Sequence, residues 1–544
     1  MSRFLRLLPA VALIVVGLPS RSQAADTASS PAESLDAPAA PAAPAQKPEE
    51  PAKPAPPPPP AVIPAVAPVR VLPIDPAKHE GLIPDIKMGS GAKLKFYGYF
   101  KTSVIYDSSS PYGNDFPLPF FLAGGDAGPD GAPEFHVKAR NFRIGASFEW
   151  PDKSDTLTLT GRVEGDFEGD FTRVANRNIS SVRSSQFGIR LAWARLDRKL
   201  DDKVTFFALF GQDWTPFGSS TLPPLIEVTG LGVGFGSLYE RAPQARFGLN
   251  IKASDSVSIG PEVAVVLPAY GNLPTDVANQ LAYGERQGAD SERPEIQGRL
   301  VFQFPLDSAP GVVPAQIIGS FVTGKRRAIV RAADVPAAFK SAFPTGATVD
   351  SDRNGWTAEV QLPTRALTLS GKYYDGKDLR FYFAGQLFSN FNDTTGLTGT
   401  ATGPSLDGSS TVVFGLRNGS PTVAPQTPIR AKGGMACVGF PLSRIFGATP
   451  GSRSAGWTLN LGYGYDEANS ADVLRAGASN RQKSNVIYGN LNWKLNSFLT
   501  FAYEQSRYET QAIANPGANL PIFKGVPTSK ADDNRSEFAA IVTF

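Results

Sequence analysis

From residue 93 to the C-terminus, apolar and polar residues alternate in one segment after another, each about ten positions long. This pattern restricts the fold more than any other feature of the chain. About ten residues is what a tilted strand needs to cross a bilayer. In "TLTLTGRVEGDFEGDF", Leu157, Leu159, Val163, Phe167 and Phe171 share one face, while Thr156, Thr158, Thr160, Arg162, Glu164, Asp166 and Glu168 share the other. In "FGIRLAWARL", Phe187, Ile189, Leu191 and Trp193 alternate with Gly188, Arg190 and Ala192. In "WTLNLGYGYD", Leu459, Leu461, Tyr463 and Tyr465 form the apolar face.

A soluble β-sandwich also alternates, because its strands are half-buried. Three features separate the two cases. The segments continue for more than 400 residues with no helical block to cover an outer face. Several apolar faces finish in Trp, Tyr or Phe, as a membrane-interface girdle requires. The opposite faces carry charges in mid-strand, which calls for a wet interior. Beyond the N-terminal segment no apolar run reaches 18 residues, so a helical membrane protein is excluded. The fold class expected is all-β: a transmembrane antiparallel β-barrel over residues 93–544.

Seventeen candidate strands can be marked, near 94–106, 140–150, 156–168, 186–197, 203–212, 243–252, 256–267, 294–304, 314–324, 355–363, 366–374, 379–388, 428–440, 455–466, 485–495, 498–508 and 536–544. A single-chain bacterial barrel takes an even number, with short turns on one side and long loops on the other. Short connections such as "PDKSD", "RKLDD" and "ASD" alternate with long ones, and the alternation fails only near residue 375. Moving 379–388 into an external loop restores it and leaves sixteen strands, with eighteen the rival count.

The two ends fit an exported barrel. Arg3 and Arg6, the apolar run Leu7–Leu18 and the small residues of Ser22-Gln23-Ala24 read as a signal peptide over residues 1–24. Residues 25–92 are rich in Pro and Ala, a composition that removes amide donors and fixes φ. A disordered or polyproline II periplasmic linker is expected there, either as a passive spacer or in contact with peptidoglycan. The chain ends "SEFAAIVTF", with Phe538, Ala540, Val542 and Phe544 on one face. A last strand of this kind would close against "KLKFYGYFKTSVIY", leaving no unsatisfied edge in lipid. It also resembles the signal read by the barrel assembly machinery through Phe544. The formal charge is +3, and residues 1–24 hold three arginines and no acid, so the remainder is close to neutral. Nothing in that balance suggests nucleic acid.

A sixteen-stranded barrel is too wide to be filled by its own side chains, so selectivity rests on wall charges and on whatever narrows the bore. Strand parity turns Lys95, Lys101, Arg143, Arg162, Glu164, Asp166, Arg190, Arg246 and Arg299 inward. Arginine outnumbers acid among them, and such a surplus favours small anionic solutes. The connection 213–242 is apolar and Gly-rich for an exposed loop, which suggests inward folding as a constriction. Asp213, Trp214, Glu227, Glu240 and Arg241 are its candidate lining. The alternative is a loop that packs on a neighbouring subunit. No cofactor and no metal are expected. His79 and His136 belong to no triad, and Cys437 is the only cysteine. The GxG patterns at 232–236 lack a strand–helix context.

"KFYGYFKTSVIYD", "ARNFRIGASFEW", "GRVEGDFEGDF", "FGIRLAWARLD" and "FALFGQDWTPFGS" occur in this order. The order resembles that of DcaP-like trimeric outer-membrane porins, most tellingly in Gly165-Asp166-Phe167 and Gly211-Gln212-Asp213-Trp214. The resemblance covers residues 94 to 250 well and the rest by architecture. It implies a sixteen-stranded homotrimer among outer-membrane lipids that passes small, often negatively charged organic solutes; the lack of a catalytic constellation separately leads us to expect no enzyme. The chain departs from those porins in its Pro/Ala-rich extension, where they carry a helical coiled coil, and in Thr215 after the tryptophan. A structural or adhesive barrel tethered to the cell wall is one rival. A sugar-specific channel, which needs a luminal row of aromatic residues, is another.

Overall fold

The computed structural model describes residues 62–69, 82–109, 131–152, 156–167, 187–226, 236–268, 293–379, 382, 394–405, 411–424, 428–475, 480–513, 522–524 and 526–544. The chain divides into Met1–Pro59, all of it outside the described residues, and Pro60–Phe544. The signal peptide 1–24, much of the 25–92 linker and Glu227 therefore lie outside the described residues.

Sixteen strands form the wall: β1 Lys93–Asp107, β2 Glu134–Pro151, β3 Leu157–Asp166, β4 Gly188–Lys199, β5 Val204–Trp214, β6 Arg241–Lys252, β7 Ser258–Val266, β8 Glu295–Phe304, β9 Ala315–Val330, β10 Ala347–Pro363, β11 Thr368–Lys377, β12 Arg430–Phe440, β13 Trp457–Ala468, β14 Asn480–Lys494, β15 Leu499–Ile513 and β16 Lys530–Thr543. Each pairs antiparallel with its sequence neighbours, and β16 pairs with β1, so the sheet closes on itself. Closure matters because hydrocarbon offers an open edge no partner for its amides.

Side chains alternate as the sequence requires. Phe100, Val163, Phe210, Leu300, Phe321, Leu461, Ile487 and Phe538 are exposed on the outer surface. An apolar belt of this kind belongs in the hydrocarbon of an outer membrane. Transferring each such side chain out of water is worth about 1.5–3 kcal/mol. The rings of Phe187, Phe167, Phe142, Phe100 and Phe544 form a row on β2 and β1 and one residue beyond the ends of β4, β3 and β16, with successive centroids 5.4, 5.8, 4.3 and 5.5 Å apart.

Two differences from the sequence reading have clear causes. First, several strands run further on the loop side than expected: β2 starts at Glu134, β10 at Ala347 and β16 at Lys530. Beyond the membrane the outer face of a hairpin meets water instead of lipid and can be polar, so the apolar–polar alternation ends although pairing continues. Arg327 lies 2.9 Å from Asp350, its cross-strand partner on such an extension. A three-stranded sheet, Thr398–Ser405, Thr411–Arg417 and Ser420–Val423, lies in the β11–β12 connection. Its Val412 and Phe414 pack on Val330, Val335, Phe339 and Val349. Of the candidate strand 379–388, residues 379 and 382 are described and lie in that connection, outside the wall.

Second, Leu191 and Trp193 do not face lipid. Glu164 pairs with Leu191 and Gly165 with Ile189, so Arg190 is an extra residue in β4. This β-bulge shifts the alternation by one. Both Arg190 and Leu191 are buried, and Trp193 packs on the luminal cluster.

The Pro/Ala-rich segment is not wholly a free linker. Residues 62–69 form neither helix nor strand and are hydrogen-bonded to the barrel. Further on, Ile86 and Lys87 pair with Leu94 and Lys93 at the start of β1.

Candidate functional site: the constriction and its charged wall

The β5–β6 connection folds into the bore. Its base is fixed where the strands end. Asp213 accepts from Arg246 Nη2 at 2.6 Å, Gln244 Nε2 donates to the Asp213 carbonyl at 2.8 Å, and Thr215 N donates to the Glu240 carbonyl at 3.0 Å. Beyond the base, the loop backbone finds its partners on the opposite wall. Phe217 N donates to Gln297 Oε1 at 2.8 Å, Gly218 N to Ser320 Oγ at 3.1 Å, and Ile226 N to Glu504 Oε2 at 3.0 Å. Gln361 Nε2 donates to Thr221 Oγ1 at 2.8 Å, and Lys101 Nζ to the Ile226 carbonyl at 2.9 Å. These bonds come from β1, β8, β9, β10 and β15, so the loop spans the lumen.

Apolar packing drives the same geometry. Trp214, Leu222, Leu225 and Tyr239 cluster with Val486, Tyr488 and Tyr508, while Phe217 and Leu238 cluster with Val322, Tyr374 and Leu379. Gly236 is needed at the closest approach: its φ is +69°, and a Cβ there would fall 1.9 Å from the Gly434 carbonyl oxygen. The apolar residues among the described parts of the loop, 213–226 and 236–242, are therefore accounted for by burial inside the barrel.

Of the basic residues expected to face inward, Lys101, Arg143, Arg190, Arg246 and Arg299 are buried and ion-paired. Arg143 lies 3.6 Å from Glu164 and 3.1 Å from Asp166. Arg190 reaches the same two carboxylates at 3.2 and 2.8 Å. Arg246 pairs with Asp213 at 2.6 Å, Arg299 with Glu262 at 2.7 Å and Lys101 with Glu537 at 3.3 Å. Lys95 is less buried and sits at the rim, 3.5 Å from Asp85. The guanidinium of Arg162 stacks over Tyr97 at 5.7 Å and Trp193 at 5.6 Å. Arg241 stacks over Trp214 at 5.2 Å. Glu240 is buried and faces the Glu295 side of the loop base, away from this patch.

The β4 bulge is held by the neighbouring strand. Gln212 Nε2 donates to the carbonyls of Ile189 at 3.2 Å and Arg190 at 3.0 Å. Gly211 beside it has φ +123°, and a Cβ there would meet the Ala192 carbonyl oxygen at 2.2 Å. Gly211-Gln212 thus aims Arg190 at Glu164 and Asp166.

Some luminal charges escape the sequence reading. Arg353 is fully buried, 2.6 Å from Glu295, and stacks 5.1 Å from the Tyr382 ring. Arg535 lies 3.3 Å from Asp107 and 3.6 Å from Glu537. Both arginines fall where the alternation reads as loop. Glu262 and Glu295 lay on marked strands, and counting acids by the same parity would have found them.

No family model matches the sequence, and no curated protein matches it. Among solved structures, the outer-membrane channel DcaP of Acinetobacter baumannii aligns over 84% of this chain and 99% of its own, at 15% identity and a TM-score of 0.51. The fold is that of an outer-membrane porin. OmpF of Salmonella typhi aligns over 85% of this chain and 100% of its own, at 11% identity and a TM-score of 0.43. An anion-selective porin from Comamonas acidovorans aligns over 83% and 100%, at 10% identity and a TM-score of 0.42. The porin fold accounts for the closed wall, the apolar belt and the infolded loop together.

Proposed function

We propose that this porin-fold barrel lets small hydrophilic solutes diffuse passively across the outer membrane, and that it favours anionic organic solutes. The observation that carries the diffusion reading is the β5–β6 loop, which crosses a sixteen-stranded bore and is hydrogen-bonded to the far wall. A bore of that size is aqueous, and a loop across it sets the size limit.

The anionic preference is supported by charge placement. Around the loop base, Arg143, Arg162, Arg190, Arg241 and Arg246 face Glu164, Asp166 and Asp213, leaving more guanidinium than carboxylate. Acidic residues gather on the adjoining arc, where Asp107, Glu504, Asp533 and Glu537 surround Arg535 and Lys101. Separated signs of charge give a field across the passage, and arginine presents carboxylates with a planar, bidentate donor. A homotrimer is also proposed. The aromatic row from Phe187 to Phe544 supports it, because a continuous ring surface suits packing against a second copy.

The test is a planar-bilayer measurement on purified mature protein. Stepwise currents are expected, with a reversal potential of anionic sign in a salt gradient. Absence of steps would overturn the porin reading, and a cationic reversal potential would overturn the preference. Chemical cross-linking in intact membranes tests the trimer, which a purely monomeric pattern would overturn.

A further inference from the structure

The described part of the Pro-rich segment rises from the rim of the barrel into its bore. Ile63 and Pro64 lie at the turns that join β8 to β9 and β12 to β13. There, Arg444 Nη1 donates at 3.0 Å to the Ile63 carbonyl and, also at 3.0 Å, to that of Pro310. Ala65 N donates to the Gly311 carbonyl at 3.0 Å. The Val66 carbonyl accepts from Thr368 Oγ1 at the foot of β11. At the far end, Leu222 N, on the constriction loop, donates to the Val69 carbonyl at 3.2 Å. Val69 packs against the Trp214–Leu222–Leu225 cluster.

The recognised carbonyls are those of Ile63, Val66 and Val69, spaced every third residue. That is the period of a polyproline II helix, which has three residues per turn and no internal hydrogen bonds to satisfy its backbone. The bonds given above are therefore made by the barrel. Pro64 and Pro68 donate nothing, so no amide is stranded at those positions. Ile63 and Pro68 are buried. At the rise of such a helix, eight residues would span about 25 Å, and the bonds run from the rim turns to the loop. The composition that rules out helix and sheet is thus the composition this groove can hold, and proline pre-orders the segment before it binds.

We propose that the periplasmic half of the lumen is a built binding site for an extended, proline-containing peptide, and that residues 62–69 of the same chain occupy it as an internal plug beneath the constriction loop. The plug adds a second narrowing in series with the loop. The gating part of this inference rests on the barrel being a pore, whereas the docking part does not.

Two measurements test it together. The first compares single-channel conductance of the full mature chain with that of a chain lacking residues 25–81, which keeps the Ile86–Lys87 pairing to β1. Conductance should about double when the peptide leaves the bore. A synthetic peptide covering residues 58–70, added to the chamber facing the turns, should restore the smaller step and have no effect from the loop side. The second is a disulfide trap with Val66→Cys and Gly439→Cys in a Cys437→Ala background. A Cβ built at Gly439 lies 3.3 Å from the Val66 Cβ, close to the separation a disulfide takes. Oxidation in intact outer membranes should give one intramolecular cross-link and lock the small conductance. Failure of the cross-link would overturn the docking. A cross-link with equal conductance in the full and shortened chains would overturn the plug. A cross-link in a barrel that passes no current in either form would instead overturn the porin reading and leave the docking standing.

Discussion

Phe544 and Gly98 exchange both of their backbone hydrogen bonds, Gly98 N to the Phe544 carbonyl at 3.1 Å and Phe544 N to the Gly98 carbonyl at 3.0 Å. The phenyl ring lies over the glycine, and a Cβ at residue 98 would fall 2.6 Å from Phe544 Cζ and 2.3 Å from the Arg143 carbonyl oxygen. Two positions 446 residues apart thus close the wall, and the missing side chain at one makes room for the ring of the other. Gly98→Val should therefore reduce the yield of assembled barrel sharply, whereas Phe544→Leu should reduce it less. Heat-modifiability of the band on semi-native gels measures both. Equal yields would show that the ring contact is not what seals the seam.

Arg190 is the second sensitive point. Arg190→Ala leaves Glu164 and Asp166 buried with Arg143 as their nearest charge partner on β2. Removing one partner of a buried ionic cluster costs about 3–5 kcal/mol. Adding Asp166→Asn to Arg190→Ala, which leaves Glu164 paired with Arg143, should recover much of that loss. Urea unfolding in detergent gives the comparison, and a double variant no more stable than the single one would refute the pairing.

Gln212→Ala should loosen the β4 bulge without touching a charge. It removes two donated hydrogen bonds to carbonyls at 3.2 and 3.0 Å. The expected cost is about 1–3 kcal/mol. Because the bulge aims Arg190, the variant should also change the reversal potential, which a purely local loss of stability would leave alone.

Arg162 and Arg241 test selectivity directly, since the guanidinium of Arg162 lies over Tyr97 and Trp193 and that of Arg241 over Trp214. Arg162→Gln with Arg241→Gln should move the reversal potential toward cations while the band stays heat-modifiable. An unchanged potential would show that the arginine surplus does not govern the passage.

A pH effect is expected at the water-facing turns. Asp307 accepts from Arg365 Nη2 at 2.8 Å and Nε at 3.0 Å, from the Arg365 amide at 2.8 Å and from the Ala309 amide at 2.9 Å. The Arg365 side chain, its amide and the Ala309 amide hold this carboxyl well below the usual carboxylate range. A depressed carboxylate adds stability above its unfolded value, near 4. That contribution is lost as pH falls through the lower folded value. Arg365→Gln should thus lower the melting temperature slightly at pH 7. The gap to the parent should close in strong acid, and a gap that widened in acid would contradict the assignment.

Much of the wall was legible because a strand has a period of two and a bilayer has a thickness. Val163 and Glu164, or Tyr463 and Asp466, are sorted by parity alone. The short and long connections pointed to sixteen strands, and the apolar residues of the 213–242 loop pointed to the burial seen in its described parts, 213–226 and 236–242. Parity failed where pairing changed the count. The extra residue at Arg190 turned Leu191 and Trp193 from the lipid face to the lumen, and nothing within "FGIRLAWARL" marks the bulge. Arg353 and Arg535 were hidden because hairpins continue above the membrane, where alternation carries no signal.

The order of residues was enough to sort lipid side from water side on most strands, since transfer of apolar and charged groups between hydrocarbon and water depends on the residue and not on its neighbours. Which charges neutralise one another, and where the Pro-rich segment lies, emerge only from the folded barrel. Ion pairs such as Arg190 with Asp166, and the bonds from Arg444 and Leu222 to Ile63 and Val69, join residues distant in sequence. Such contacts exist only once the barrel has closed and given them a common interior.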